Sequence, residues 1–182
     1  MLIYQTDAFV FRDELKDWCE SGYDYIGAPW FEHFTDKEDV GNFIGVGNGG
    51  FSLRKIDTHI KVLNTFSYVL SPEQNIAGRF QKGKNGGSFL RNLGGWILDH
   101  TIRNNTHWLL NSFKGHEDQF WGLYVTQRMK WFKVPAFQEA LSFAFEMQPR
   151  RLMKLNNNEL PFITNLPQSS THNLTQMKNV GN

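Results

Sequence analysis

Cysteine is nearly absent: Cys19 is the one thiol in 182 residues. No internal disulfide can form, and the paired spacing of a cysteine-based zinc site is missing. Long hydrophobic runs are missing too. Apolar stretches such as Trp96-Ile97-Leu98 and Trp108-Leu109-Leu110 fall far short of the roughly 20 residues that a spanning helix needs, so no membrane span is expected in this chain. Gln5 and Asp7 interrupt the opening Leu2-Ile3-Tyr4, which therefore lacks the basic start and apolar run of a signal peptide. A lone thiol suits a reducing compartment, so the expected setting is cytoplasmic, or membrane-associated through sequence outside this chain. Charge of one sign is also scarce. The formal net charge is +1, and the short basic pieces Lys82-Gly83-Lys84 and Arg150-Arg151 read as solvated loops rather than a phosphate-tracking face, so nucleic acid is not the expected partner. No internal repeat is visible.

What is there suits a single globular domain: 40% hydrophobic and 20% charged residues allow a packed core. Residues 2–6 read as a buried strand with no visible preceding partner, which suggests truncation. Residues 12–20 read as a short helix, 23–26 as a strand stopped by Gly27-Ala28-Pro29, and 31–42 as a charged loop. Phe43-Ile44 and Phe51-Ser52-Leu53 flank a glycine-dense turn. From Arg54, the spacing of Ile56, Ile60, Leu63, Phe66, Val69 and Leu70 predicts a helix of about four turns. Six glycines in 78–95 favour a loop or insertion. Then come an expected helix over 117–127, a strand over 131–134, a helical turn over 135–141, a strand over 142–146 and a frayed, polar end from Asn156. Strands and helices alternate, which predicts an α/β fold. The domain is placed at 1–162, with 163–182 as a flexible tail.

Three constellations could carry chemistry. Asp7 stands just past the end of an apolar strand, where open α/β sheets put their ligands and where a hard cation would find an oxygen donor; an Asp in that position is also an ordinary turn former or helix cap. Gly45 to Arg54 formally satisfies G-x-G-x-x-G. However, only Phe43-Ile44 precede it, and Phe51-Ser52-Leu53 separate the glycines from the helix, so the dinucleotide fingerprint fails and a nicotinamide-dependent oxidoreductase ranks low. Those glycines can instead bring bare backbone against a flat polar ligand such as a sugar ring, with Asn48 offering its amide, or they simply make a bulged turn. Gly115-His116-Glu117-Asp118 puts two carboxylates at a helix start, which suits a general base and equally suits plain capping. Phe120 stands where a second histidine would complete H-E-x-x-H, so a zinc-protease reading fails. Among the aromatics, Trp30 and Trp121 are candidates for sugar-stacking walls, although most aromatics will be core.

Taken in order, Gln5-Thr6-Asp7, Tyr23-Asp24-Tyr25-Ile26-Gly27-Ala28-Pro29-Trp30, Gly47-Asn48-Gly49-Gly50-Phe51-Ser52-Leu53-Arg54 and Glu117-Asp118 form a distinctive series. It resembles a group of glycosyltransferase-like domains assigned to the GT-A fold. The likeness runs from about residue 2 to 162 and takes in Ala140, Phe143, Phe145, Glu146 and Pro149. Gly49-Gly50-Phe51-Ser52 followed by Gly115-His116-Glu117-Asp118 is also similar to the acceptor-site pattern of animal galactosyltransferases that build N-acetyllactosamine.

The resemblance implies a GT-A-like mixed sheet flanked by helices, lacking the first nucleotide-binding strands that family members carry ahead of the Gln-x-Asp strand. It implies a nucleotide-sugar donor, a glycan or other hydroxyl acceptor, inversion at the sugar carbon, and a divalent cation, Mn2+ or Mg2+. It makes Asp118 the base and Glu117 the residue that orients the acceptor. Asp7 would belong to the metal site, and Asn48, Gly49 and Gly50 would line the sugar site. The family tends to show Gly-x-His where this sequence has Ile163-Thr164-Asn165; Asn165 is a poorer ligand, and His172 lies in the tail. A non-catalytic sugar-binding fragment is the alternative.

Overall fold

Phe51, Ser52, Leu53 and Arg54 are all buried, as suits a strand with a partner on each edge. The computed structural model describes residues 1–32, 41–65, 97–98, 113, 115–146 and 148–165. In it, this strand, β6 (Phe51–Arg54), lies between β1 (Leu2–Tyr4) and β3 (Tyr25–Ile26), antiparallel to both. Tyr4 pairs with Phe51 on one side and Tyr25 with Arg54 on the other.

Gly27-Ala28-Pro29 does not end the strand as the sequence suggests. The chain continues as β4 (Ala28–Phe31), which pairs with β5 (Phe43–Gly47) to form a two-stranded sheet. Each strand of such a sheet has a free edge, where the missing N–H of Pro29 costs nothing. Between the pairs Ile26–Leu53 and Ala28–Gly47, one side of this ribbon holds Gly27 alone while the other holds residues 48–52. The surplus leaves the ribbon as the Asn48-Gly49-Gly50 excursion, which carries the chain from one sheet to the other.

A third sheet has β8 (Ile163–Thr164) at its centre, antiparallel to β2 (Phe9–Val10) and parallel to β7 (Ala144–Phe145). Ile163 and Thr164 are fully buried, so the tail expected from residue 163, and the frayed end expected from Asn156, are corrected for residues up to Asn165. Asn157 and Asn158 both take positive φ, which asparagine tolerates better than most residues, and they turn the chain back toward β8. Residues 166–182, including His172, lie outside the described residues, as do most of the charged loop (33–40), the glycine-rich stretch 78–95 and residues 66–70 of the helix expected over 54–70.

The helices are α1 (Leu15–Glu20), α2 (Ile56–Leu63), α3 (Glu117–Gln119), α4 (Thr126–Arg128), α5 (Phe137–Phe143) and α6 (Pro149–Leu155). A π-helical stretch, Phe120–Val125, joins α3 to α4 without a break. In α2 the buried residues are His59 and Val62, with Leu63 packed partly buried beside them, whereas Ile56 and Ile60 of the expected apolar face are each 51% exposed. Residues 131–134 are not a strand. The backbone of Lys133 is taken up by Asp24, whose Oδ2 accepts its N–H at 2.7 Å and whose own N–H donates to its carbonyl at 2.7 Å. Helices flank small antiparallel and mixed sheets, and the fold is α/β. Among the described residues, no helix is long and apolar enough to cross a membrane.

Candidate functional site

The parallel register of β7 and β8 pairs Phe145 with Thr164, so the next residues, Glu146 and Asn165, leave the sheet side by side. Gln5 likewise follows β1 directly. The C-terminal ends of strands are where α/β folds expose polar groups to ligands.

The Asn48-Gly49-Gly50 excursion meets these residues. Asn48 is fully buried, and its Oδ1 accepts the N–H groups of Gly50 and Phe51, each at 2.9 Å, and Asn165 Nδ2 at 3.2 Å. Gln5 N–H donates to Gly50 O at 2.8 Å. A Cβ on Gly50 would collide with Asn165 Nδ2 and press on Gln5 Oε1, so this close approach requires glycine. Gly49 turns the other way and donates its N–H to Asp118 Oδ2 at 2.9 Å. Asp118 is 8% exposed, and its Oδ1 accepts the N–H of Gln119 at 2.8 Å. One hydrogen-bonded path therefore joins Asp118, through Gly49, Asn48 and Gly50, to Asn165 and Gln5.

Glu117 is held differently. Arg54 grips its carboxylate with two bonds of 3.0 and 2.7 Å, the planar fork-to-fork pairing to which guanidinium is suited. Arg54 is 9% exposed, bonds Ser52 Oγ through Nε at 2.9 Å and lies over the Tyr25 ring at 5.5 Å. Paired with a permanent guanidinium charge, Glu117 is held as a fixed carboxylate and is suited to orienting a ligand.

The indole of Trp30 donates to Glu146 Oε2 at 2.8 Å. Burial pushes the Glu146 carboxyl above the ordinary carboxylate range; the Trp30 bond works against this, and the charge of Asp118 adds to it. Tyr25 is fully buried and its hydroxyl is pushed well up, chiefly by desolvation. The backbone of Asn48 lies within bonding reach of that hydroxyl and works against the shift, while Asn48 Nδ2 is a buried polar atom with no hydrogen-bond partner among the described residues.

Asp118, Glu117, Asn48, Gly49 and Gly50 thus come together, as the sequence predicts. Trp30 reaches the site too, but at 5% exposure it acts through its N–H on Glu146 rather than as a stacking wall. Trp121 is corrected to core: it is 8% exposed, with His59 at 4.2 Å and the Phe132 ring stacked at 6.2 Å, which leaves almost no face for a ligand. Asp7 is exposed at the third position of a β-turn closed by Ala8 N–H to Gln5 O at 3.0 Å, two residues beyond the end of the network. Among the described residues, no three His, Cys, Asp or Glu side chains group as a metal site. A shallow depression of about 520 Å3, lined by Leu2, Tyr4, Val10, Phe11 and Leu15 among others, includes none of these residues.

A family model described as "Protein of unknown function (DUF5672)" matches residues 1–164. The chain belongs to this family. Its description names no activity, so what the DUF5672 chain does must be argued from its own residues. No curated protein and no solved structure matches it.

Sequence reasoning weighed Asn165 only as a poorer metal ligand, and named Gln5, Arg54 and Glu146 as parts of the family pattern without giving them a role at the site. Glu146 had a usable signal, a carboxylate directly after an apolar strand in alternating sequence. Arg54 had none, because only the fold brings it to Glu117, 63 residues away.

Proposed function

We propose that this protein is a glycosyltransferase, moving a sugar from a nucleotide-sugar donor to an acceptor hydroxyl with inversion. The observation that carries the reading is Asp118, a buried carboxylate tethered by backbone N–H groups beside a loop of bare glycine backbone. Such a loop lets a flat polyhydroxyl ring approach closely, and a carboxylate at its edge can accept a hydroxyl proton. Asp118 takes that proton as the acceptor oxygen bonds to the donor's sugar carbon and the nucleoside diphosphate leaves with the electron pair of the broken bond. Glu117, clamped by Arg54, orients the acceptor, and Asn48 holds the loop in shape.

Asp7 fits a shared cation site rather than a closed one. Mg2+-type ions are often held by one or two carboxylates together with substrate phosphates and water, and Asp7 supplies one exposed carboxylate. When bound, the cation would neutralise charge on the departing diphosphate.

The test is transfer and hydrolysis of a panel of nucleotide sugars with Mn2+, measured on the full-length protein and on Asp118→Asn at a temperature where both are folded. The expected result is turnover that falls by about 10²- to 10⁴-fold in the variant, the usual contribution of a general base. Equal turnover removes Asp118 as base. A second reading, sugar binding without transfer, is favoured by Asn165, an amide bonded to Asn48 where the resemblance leads one to expect a histidine; sugar binding without turnover would select it.

A further inference from the structure

Glu146 takes no part in the scheme above, yet it shares a corner of the fold with the proposed base. It leaves β7 beside Asn165, at the end of the network that reaches Asp118. Its Oε2 is fixed by Trp30 at 2.8 Å. The indole in turn lies against the backbone of Gly47, where an added Cβ would collide with the ring. Gly47 directly precedes Asn48, so the same strand end that positions the glycine loop also sets the direction of the glutamate. The residue is partly exposed, and among the described residues its second oxygen has no hydrogen-bond partner.

A carboxyl held by one oxygen with the other open is built to meet something. Asn48 Nδ2, fully buried and without a partner among the described residues, lies at the same corner. Buried polar atoms usually find partners, so polar capacity is left over on the Asp118 side as well.

We propose that Glu146 is a ligand-binding residue of this site, presenting its open carboxyl oxygen to one hydroxyl of a sugar while Asp118 accepts from the neighbouring one. The inference rests on the sugar-transfer reading and extends it to the class of ligand recognised, a neutral vicinal diol. An acid and a carboxylate presented together complement two adjacent hydroxyls, one used as acceptor and one as donor. The surroundings favour the acid form. Asp118 is the charge that acts on Glu146, β4 presents only the neutral indole of Trp30, and β8 ends in the neutral Asn165.

The test has two arms. In the first, the Trp30 indole N–H resonance is followed by NMR from pH 4 to 9 in the full-length protein. It is expected to titrate with a midpoint above the ordinary glutamate value, to titrate at lower pH in Asp118→Asn, and not to titrate in Glu146→Gln. A flat wild-type curve overturns the proposal. In the second arm, methyl glycosides of glucose, galactose and N-acetylglucosamine are added at pH 5.5, and transfer is measured across pH. Glu146→Gln, which always donates, is expected to keep the glycoside-induced shift and to hold its activity at high pH, where the wild type falls by about tenfold per unit. Glu146→Ala is expected to lose both. Superimposable pH profiles for wild type and Glu146→Gln overturn the role of Glu146 and leave transfer standing. Glycoside shifts that depend on Glu146 without any turnover support Glu146 and remove the transferase.

Discussion

Replacing Asp118 by asparagine should weaken the fold as well as the chemistry, by an amount that follows from its two bonds. Oδ2 accepts Gly49 N–H at 2.9 Å, and Oδ1 accepts Gln119 N–H at 2.8 Å. Asparagine has one carbonyl oxygen, so its NH2 must face one of these two donors. That bond is lost, and the surviving one changes from charge-assisted to neutral. Bonds to charged groups contribute about 1.5–3 kcal/mol and neutral ones about 1 kcal/mol, while an unsatisfied buried donor costs about 1–3 kcal/mol. Two effects soften the loss: Gly49 is only partly buried, so water can reach its N–H, and removing the charge relieves Glu146. The expected net destabilisation is about 2 kcal/mol. With a urea dependence of about 2 kcal/mol per molar, the midpoint should fall by about 1 M when unfolding is followed by tryptophan fluorescence at pH 7. An unchanged midpoint would mean that two backbone donors do not hold the carboxylate, and the reasoning that makes Asp118 a pre-positioned base would fail with it.

Two further outcomes follow from the same geometry. Gly49→Ala should unfold at the wild-type temperature, because the new methyl would meet Asp118 Oδ2 at 3.4 Å, an ordinary contact, yet it should lose at least tenfold in transfer or glycoside binding by filling the space above the loop; a drop of several degrees in Tm, or unaffected binding, would refute this. His59 is kept neutral by burial, which lowers its pKa against the opposing bond to Lys55 O. The unfolded chain takes up a proton near pH 6.5 and the folded one only at lower pH, so this stability is complete above pH 6.5 and drains as the pH falls toward the folded pKa. Tm measured from pH 8 to 5 should decline more steeply in the wild type than in His59→Gln, and parallel curves would show that the buried ring does not drive the decline.

How much of this is legible in the sequence depends on the distance over which each feature is decided. The alternation of strand and helix gives the α/β class, and Asn48, Gly49, Gly50 and Asp118 are visible because local composition marks them. The register of 25–31 against 43–54 is not local. A proline usually stops a strand, and only the free edge of β4 lets Pro29 remain inside one. Residues 131–134 have the composition of a strand, but Asp24, more than 100 residues earlier, occupies the Lys133 backbone. Ile163 and Thr164 sit in polar sequence that reads as tail, and they are buried because β2 and β7 pair on either side. Trp121 illustrates the converse error: its place one turn after Glu117 suggested the site, but the helix turns that side toward His59 and Phe132.

Gly47 at the end of β5 and the two loop glycines Gly49 and Gly50 are therefore not equivalent, and their differences bear on function. Gly47 gives way to the Trp30 indole, which in turn fixes Glu146; Gly50 gives way to Asn165 and Gln5 at the strand ends. Both are closed by neighbouring groups, and a side chain at either would displace part of the network. At Gly49 an added Cβ would only touch, meeting Asp118 Oδ2 at 3.4 Å and Glu117 Oε1 at 3.8 Å, and its N–H points at the carboxylate of Asp118. A loop needed only as a turn would not have to keep its middle position open above a buried acid, whereas a loop that receives a ring would. The position that tolerates contact lies against the one residue to which the proposed chemistry assigns the proton, and the two filled positions fix the groups around it.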